Sequence, residues 1–491
     1  MLVDGGVLQW IGDEQRADQS AGLAGVRVID LDEALVTAAF VDAHVHATST
    51  GLGLTSLDLT GCRSLAEALR AVEIAARAAR GRPLIGGGWS EIDWPEGRPP
   101  TSAELDRASY GGVVYLARVD VHSAVVSSAL RAAVPGLAGP GVGADGWIRE
   151  PAHDRVREVA LQTVTRGQRR NAQQAMLRRA ASLGIVAVHE MAGPVISTED
   201  DLLELIDLAA DPALPDVVPY WGELGAVDKA RQLGAVGAAG DLFCDGSLGS
   251  ATAALREPYL SHPGETGLLR FATEDMAAHV ESCVAARLQT GFHAIGDAAV
   301  DQVLDAFELA STRLGRTVGT GQRIEHAEYV RDPARLAASG LTASMQPCFD
   351  ALWGGTAGMY AQRVGADRSL ALNRVGDLAA AGVPLVFGSD SPVTELGPWA
   401  AVRAAAHHHD PAASISVAAA FEAHTRAGWR AGGSTEDGVL APGRPATFAV
   451  WRTGLIGGDT GLPALTPDRP LPECLATVLR GSVLHDTGLL A

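Results

Sequence analysis

Short apolar runs alternate with amphipathic stretches through most of this chain. The runs fall at 38–44, 184–189, 217–221, 241–245, 291–295, 323–327, 341–346 and 384–389. They are short and apolar at consecutive positions, as a strand buried on both faces requires. Stretches at 155–182, 199–210, 226–235, 274–289, 297–314, 332–339, 368–381 and 417–431 repeat their apolar residues at helical spacing. Eight strands, each followed by a helix, predict an α/β fold of the (β/α)8 TIM-like barrel type. Its active site is expected at the C-terminal strand ends.

The two ends of the chain read differently. GGVLQWIGD and VRVIDLD at the start, and ATFAVWRT and ECLATVLRGSVLHD at the finish, alternate over short stretches between Gly-rich turns. They predict a small β-sandwich domain built from both termini, residues 1–38 plus 437–491, around a barrel at 39–436. Between the first and second barrel strands lies a long insertion, at about 47–155, with a helix at 64–80 and the strand-like VVYLARVD. An insertion of that size on a barrel loop is expected to act as a lid and specificity element.

Composition narrows the partners. The 491 residues carry a formal charge of −19, which argues against nucleic acid or an anionic membrane as partner. Five scattered cysteines, none spaced C-x-x-C, suit reduced thiols. The first residues lack a basic and then apolar leader, and no apolar run reaches the roughly 18 residues of a membrane span. A cytoplasmic protein acting on a small molecule is expected, with homo-oligomerisation left open.

Candidate chemistry gathers at the predicted strand ends. His44 and His46 stand one residue apart in AAFVDAHVH, so on a strand both imidazoles project the same way. His293 in TGFHAIGD, His326 in RIEHAE and Asp390 in VFGSDSPV each end another apolar run. Imidazoles with one carboxylate suit zinc or a similar divalent metal. A lone His-x-His is a weak signal. Companions on the fifth, sixth and eighth strands make it specific.

These segments, together with LARVDVHS, CDGSLGS, SMQP and the closing GVLAPGRPATFAVW, resemble the metal-dependent amidohydrolase superfamily. Within it they look like the branch that contains N-substituted formamide deformylases. The resemblance implies His44, His46, His293, His326 and Asp390 around one or two divalent metals. Many members bridge two metals with a carboxylated lysine on the fourth strand. Here Asp241 occupies that position, and the only lysine, Lys229, lies twelve residues upstream in a predicted helix. A lysine carbamate is therefore not expected. Asp241 either bridges two metals or plays a supporting part, and one tightly held zinc ion is the favoured count because the aspartate arm is short.

The expected reaction is hydrolysis of a carbon–nitrogen bond in a small or N-substituted amide. A divalent metal lowers the pKa of bound water from 15.7 to roughly 7. Asp390 is expected to take up the water proton and deliver it to the departing nitrogen. His326, if not a ligand, is a donor to the developing oxyanion. His122, Trp89 and Arg118 from the insertion are candidate substrate-binding residues, with Arg118 and Asp120 also a candidate ion pair. His189 is expected at the mouth in a supporting role, and His407-His408-His409 reads as a solvated helix end. Two other readings stand beside this one. A deaminase of a cyclic amidine is disfavoured because FHAIGD lacks a glutamate, and a non-catalytic metal-binding scaffold is disfavoured by full occupancy of the ligand positions.

Overall fold

Continuous apolar runs become strands with both faces covered. In the computed structural model the first barrel strand, Phe40–Val45, and the second, Ile185–Ala192, are buried at every position. Asp216–Trp221, Gly237–Ala238, Gln289–Ala294, Arg323–His326, Thr342–Met345 and Leu385–Phe387 follow in order, all parallel, forming one eight-stranded sheet. The structure describes residues 1–13, 25–91, 94–118, 123–139, 141–149, 152–457 and 460–490. The sheet closes on itself where the Asp390 N–H donates to the His44 carbonyl at 2.8 Å and the His46 N–H to the Ser391 carbonyl at 2.9 Å. This is the expected TIM-like barrel.

One strand differs from its expectation. The fourth is the two-residue Gly237–Ala238, upstream of the apolar run 241–245. That run is instead an extended segment, joined to the fifth strand by a single bridge between Phe243 and His293. It leaves the ladder because Asp241 and Asp245 are turned to polar tasks described below.

Helices between the strands have clear local causes. Thr198 caps Glu199–Leu208 in a reciprocal box with Asp201, satisfying two otherwise orphaned backbone donors. Asp297–Leu314 ends on Gly315 at φ 65°, the left-handed stop that glycine adopts without strain. The expected single helix at 417–431 is two, Val417–Ala423 and Arg426–Ala431. No described helix is long and apolar enough to cross a membrane.

Both termini meet in a four-stranded antiparallel sheet: Ser482–Asp486, Glu473–Leu479, Phe448–Arg452 and Leu35–Ala38, in that order. Leu8, Phe448, Val450, Leu475 and Val478 form its core. Trp451 anchors it to the barrel. Its indole N–H donates to the Thr37 hydroxyl at 2.9 Å, and its ring sits 5.7 Å from that of Phe40.

Residues 48–176 form a second compact unit, apart from 1–47 and 177–491. It has its own five-stranded mixed sheet, in chain order: Leu57–Asp58, Leu84–Trp89, Val114–Arg118, Ser123–Val126 and Trp147–Arg149. It runs some way past the expected end at about 155, because helix Ala152–Gln162 packs on this sheet through Val156 and Ala160.

Candidate metal centre

The first barrel strand delivers His44 and His46 side by side, with ring centroids 5.4 Å apart. Across the closing seam, Gly388 lets the last strand approach; a Cβ there would stand 2.5 Å from the His44 nitrogen. Asp390 follows at φ 56° and His326 at φ 69°. Side chains rarely tolerate such left-handed backbone, and functional sites are where it persists. At His326 the consequence is direct. Strict alternation would send Glu325 and His326 to opposite faces, and the left-handed turn brings both inward.

The four imidazoles converge on Asp241. His44 Nε2, His293 Nδ1 and His326 Nε2 lie 3.5, 3.5 and 3.4 Å from its Oδ1, and His46 Nε2 lies 3.2 Å from its Oδ2. Asp390 Oδ1 stands 3.0 Å from His46 Nε2 and 3.5 Å from His44 Nε2. Ligands bound at about 2.1 Å around a tetrahedral cation sit about 3.4 Å from one another. The spacing fits that geometry.

On three of the four rings the far side fixes which nitrogen faces the centre. His44 Nδ1 donates to Glu325 Oε2 at 3.0 Å, His326 Nδ1 to Gln346 Oε1 at 2.8 Å, and His293 Nε2 to the Gly246 carbonyl at 3.2 Å. Each bond consumes the one proton of a neutral ring, so the remaining lone pairs aim at carboxylate oxygens. His44 Nε2, His293 Nδ1 and Asp390 Oδ1 are buried with no hydrogen-bond partner. Lone pairs facing carboxylates in a buried site call for positive charge between them. The donor set therefore fits a divalent cation.

Electrostatics agree. Burial alone would lower His44, yet Asp241 and Asp390 outweigh it and lift the ring to about 10, and His46 is raised by the same two carboxylates. Burial would raise Asp390 and Asp241, but His44 foremost among the imidazoles holds both below the usual carboxylate range.

A buried network supports the ligands. Arg323 is fully buried and bonds Glu325 at 2.7 Å, His189 Nδ1 at 2.7 Å, the Ala43 carbonyl at 2.7 Å and the Ser344 hydroxyl at 3.1 Å. Asp42 accepts from the backbone N–H groups of Ser389 and His44, clamping the last strand to the first. Asp245 accepts from Ala254, Ile295 and Gly296, which pins the Asp241–Asp245 segment to the fifth strand's end. None of Glu325, Arg323, Gln346, Asp42 or Asp245 is anticipated from the sequence as part of the site. Each lies inside a quoted motif or within two residues of a ligand, which is the signal that was available.

Several expectations need correction. His189 is not at the mouth: its strand continues to Ala192, and the ring points into the barrel interior against Arg323 and Tyr220. His408 is buried, bonded to the Leu372 carbonyl and facing Asp350 at 3.3 Å, so the histidine triplet is only partly solvated. Trp89 is fully buried in the core of the second unit, donating to the Leu116 carbonyl at 2.8 Å beside Trp94 and Trp147. It is a packing residue, and Gly88 before it, at φ 84°, has Thr60 2.4 Å from where a Cβ would stand. Arg118 pairs with Glu91 at 3.0 Å. His122 and Asp120 lie outside the described residues.

Known proteins agree with this architecture. The amidohydrolase family profile matches residues 27–485. Protein LONG AFTER FAR-RED 3 of Arabidopsis thaliana is 28% identical over 474 residues, spanning 87% of this chain and 80% of that protein. The crystal structure of an uncharacterized metal-dependent hydrolase of Pyrococcus furiosus is similar at TM-score 0.77 and 28% identity, covering 91% of this chain and 93% of that one. A counterpart from Pyrococcus horikoshii gives TM-score 0.75 and 27% identity, covering 91% and 92%. Because the matched span takes in every barrel strand and every residue that meets at Asp241, the chain belongs to the amidohydrolase family.

Proposed function

We propose that this protein is a metal-dependent hydrolase that cleaves a carbon–nitrogen bond other than a peptide bond, in a small or N-substituted amide. N-substituted formamides are the first substrates to try. The observation that carries this reading is the meeting of His44, His46, His293 and His326 on Asp241, beside an anionic Asp390.

The metal is taken to be zinc, since nitrogen-rich sets with carboxylate suit it. In place of the single ion favoured by the sequence, we infer two, which Asp241 would help to hold. His44, His46 and Asp390 would hold one. His293 and His326 would hold the other, their inward nitrogens lying 3.5 and 3.4 Å from Asp241 Oδ1. When bound, such ions acidify a water molecule and polarise a carbonyl. Asp390, kept anionic by His44 and His46, accepts the water proton and returns it to the leaving nitrogen. Glu325, Gln346 and the Gly246 carbonyl hold the imidazoles in the required tautomer. A cytoplasmic location and a small-molecule partner complete the proposal, in keeping with the charge of −19.

The test joins elemental analysis of protein purified without added metal to a hydrolysis screen over amides, esters and amidines. Bound zinc with turnover of an amide is expected. Metal without turnover on any of the three classes would sink the hydrolase reading.

A further inference from the structure

The segment that carries Asp241 also carries an aromatic residue toward the mouth. Phe243 pairs with His293 across a parallel bridge, so the two side chains lie on the same face, with ring centroids 4.7 Å apart. The guanidinium of Arg270 also stands over the Phe243 ring, 5.4 Å from its centroid. Its backbone is fixed there, since the Arg270 N–H donates to the Cys244 carbonyl at 2.8 Å. A chain of contacts thus runs from a metal-facing imidazole through an aromatic ring to a cation.

That cation has no partner among the described residues. In a chain with 58 acidic and 39 basic residues, neighbouring arginines find acids or carbonyls: Arg256 pairs with Asp301, Arg331 with Asp297, and Arg368 bonds the Glu257 and Pro258 carbonyls. Among the described residues the Arg270 guanidinium makes no ion pair and no hydrogen bond. It is exposed, and so are Leu268 and Leu269 just before it. A planar donor fork held over an aromatic ring, with its donors free, is suited to a carboxylate.

We propose that Arg270 is a specificity-determining residue that binds a carboxylate carried by the amide substrate, with Phe243 positioning its guanidinium. This rests on the hydrolase reading above and narrows it to amides of the N-acyl amino acid kind. Its function is to hold the substrate's far end while the scissile bond lies at the ligand cluster.

Calorimetric titration of the zinc-loaded enzyme tests it, with N-acetylleucine and N-acetylphenylalanine as probes against their primary amides. Wild type is expected to bind each acid about tenfold or more tightly than its amide, the scale of a charge-assisted pair. The R270M variant should lose that gap, while R270K should keep part of it as a charge without the fork. Circular dichroism checks that both variants fold. Equal binding of acid and amide by wild type, undetectable binding of both, or a gap that survives R270M would overturn the assignment. Acids that bind through Arg270 but are never cleaved would instead count against the hydrolase reading alone.

Discussion

His44 and Glu325, 281 residues apart in the chain, are joined by a buried 3.0 Å hydrogen bond through Nδ1, and the same carboxylate is gripped by Arg323. Arg323 keeps Glu325 well below the usual carboxylate range, although burial pushes the other way. The imidazole is thereby fixed with its other nitrogen toward the centre. Replacing Glu325 with Gln removes the anion that holds this tautomer. Zinc affinity should fall about 10- to 100-fold, read by chelator competition. Stripping a buried arginine of its partner should also destabilise the fold by roughly 3–5 kcal/mol, read by denaturant unfolding. Unchanged zinc affinity would remove His44 from the ligand set.

Asp241→Asn addresses the metal count. Both Asp241 oxygens face imidazoles, so a neutral amide there weakens the hold on both proposed ions. Elemental analysis should find two equivalents in wild type and one or fewer in the variant. One equivalent in each would return the site to a single ion with a dispensable aspartate.

Asp390→Asn separates proton transfer from binding. A general base that becomes the general acid is worth about 10²–10⁴ in rate. The variant should lose that much kcat with KM little changed, and its metal content must be measured alongside. Full activity with the metal retained would move the proton to another group.

The barrel was legible because its strands are apolar on both faces; Phe40–Val45 and Ile185–Ala192 read directly from composition. Five of the residues that meet at the centre were legible through the His-x-His pair and the later strand ends. The weight of Asp241 was not, since its role depends on the segment 241–245 leaving the ladder. Glu325 was hidden by alternation. A reader who counts by two assigns it to the face opposite His326, and only the left-handed backbone at His326 reverses that. Trp89, expected among the substrate-binding residues, is instead packed in, and the three glycines before it serve close approach to Leu57, Ala117 and Thr60.

The 48–176 unit offers a pH-dependent test of its own. Arg98 foremost holds the Glu104 carboxyl down at about 2, at distances of 2.9 and 2.8 Å, and Glu104 closes the capping box with Thr101. The folded value lies below the unfolded one of about 4.3. The stabilisation is therefore present above that pH and lost as pH falls toward 2. Wild type should melt above an E104Q variant at neutral pH, with the difference shrinking below pH of about 4. A constant difference across that range would assign the effect to something other than charge.

The cylinder's last joint is a short one. Besides the Ser389 N–H on the Asp42 carboxylate, the amides of Asp390 and His46 reach across from the end of the wall to its beginning, and both belong to residues that crowd around Asp241. Whatever occupies that centre therefore acts as a latch on the circumference, adding RT ln(1 + [L]/Kd) to the closed form. Stripping the occupant should let these two amides exchange with deuterium well ahead of the opposite staves.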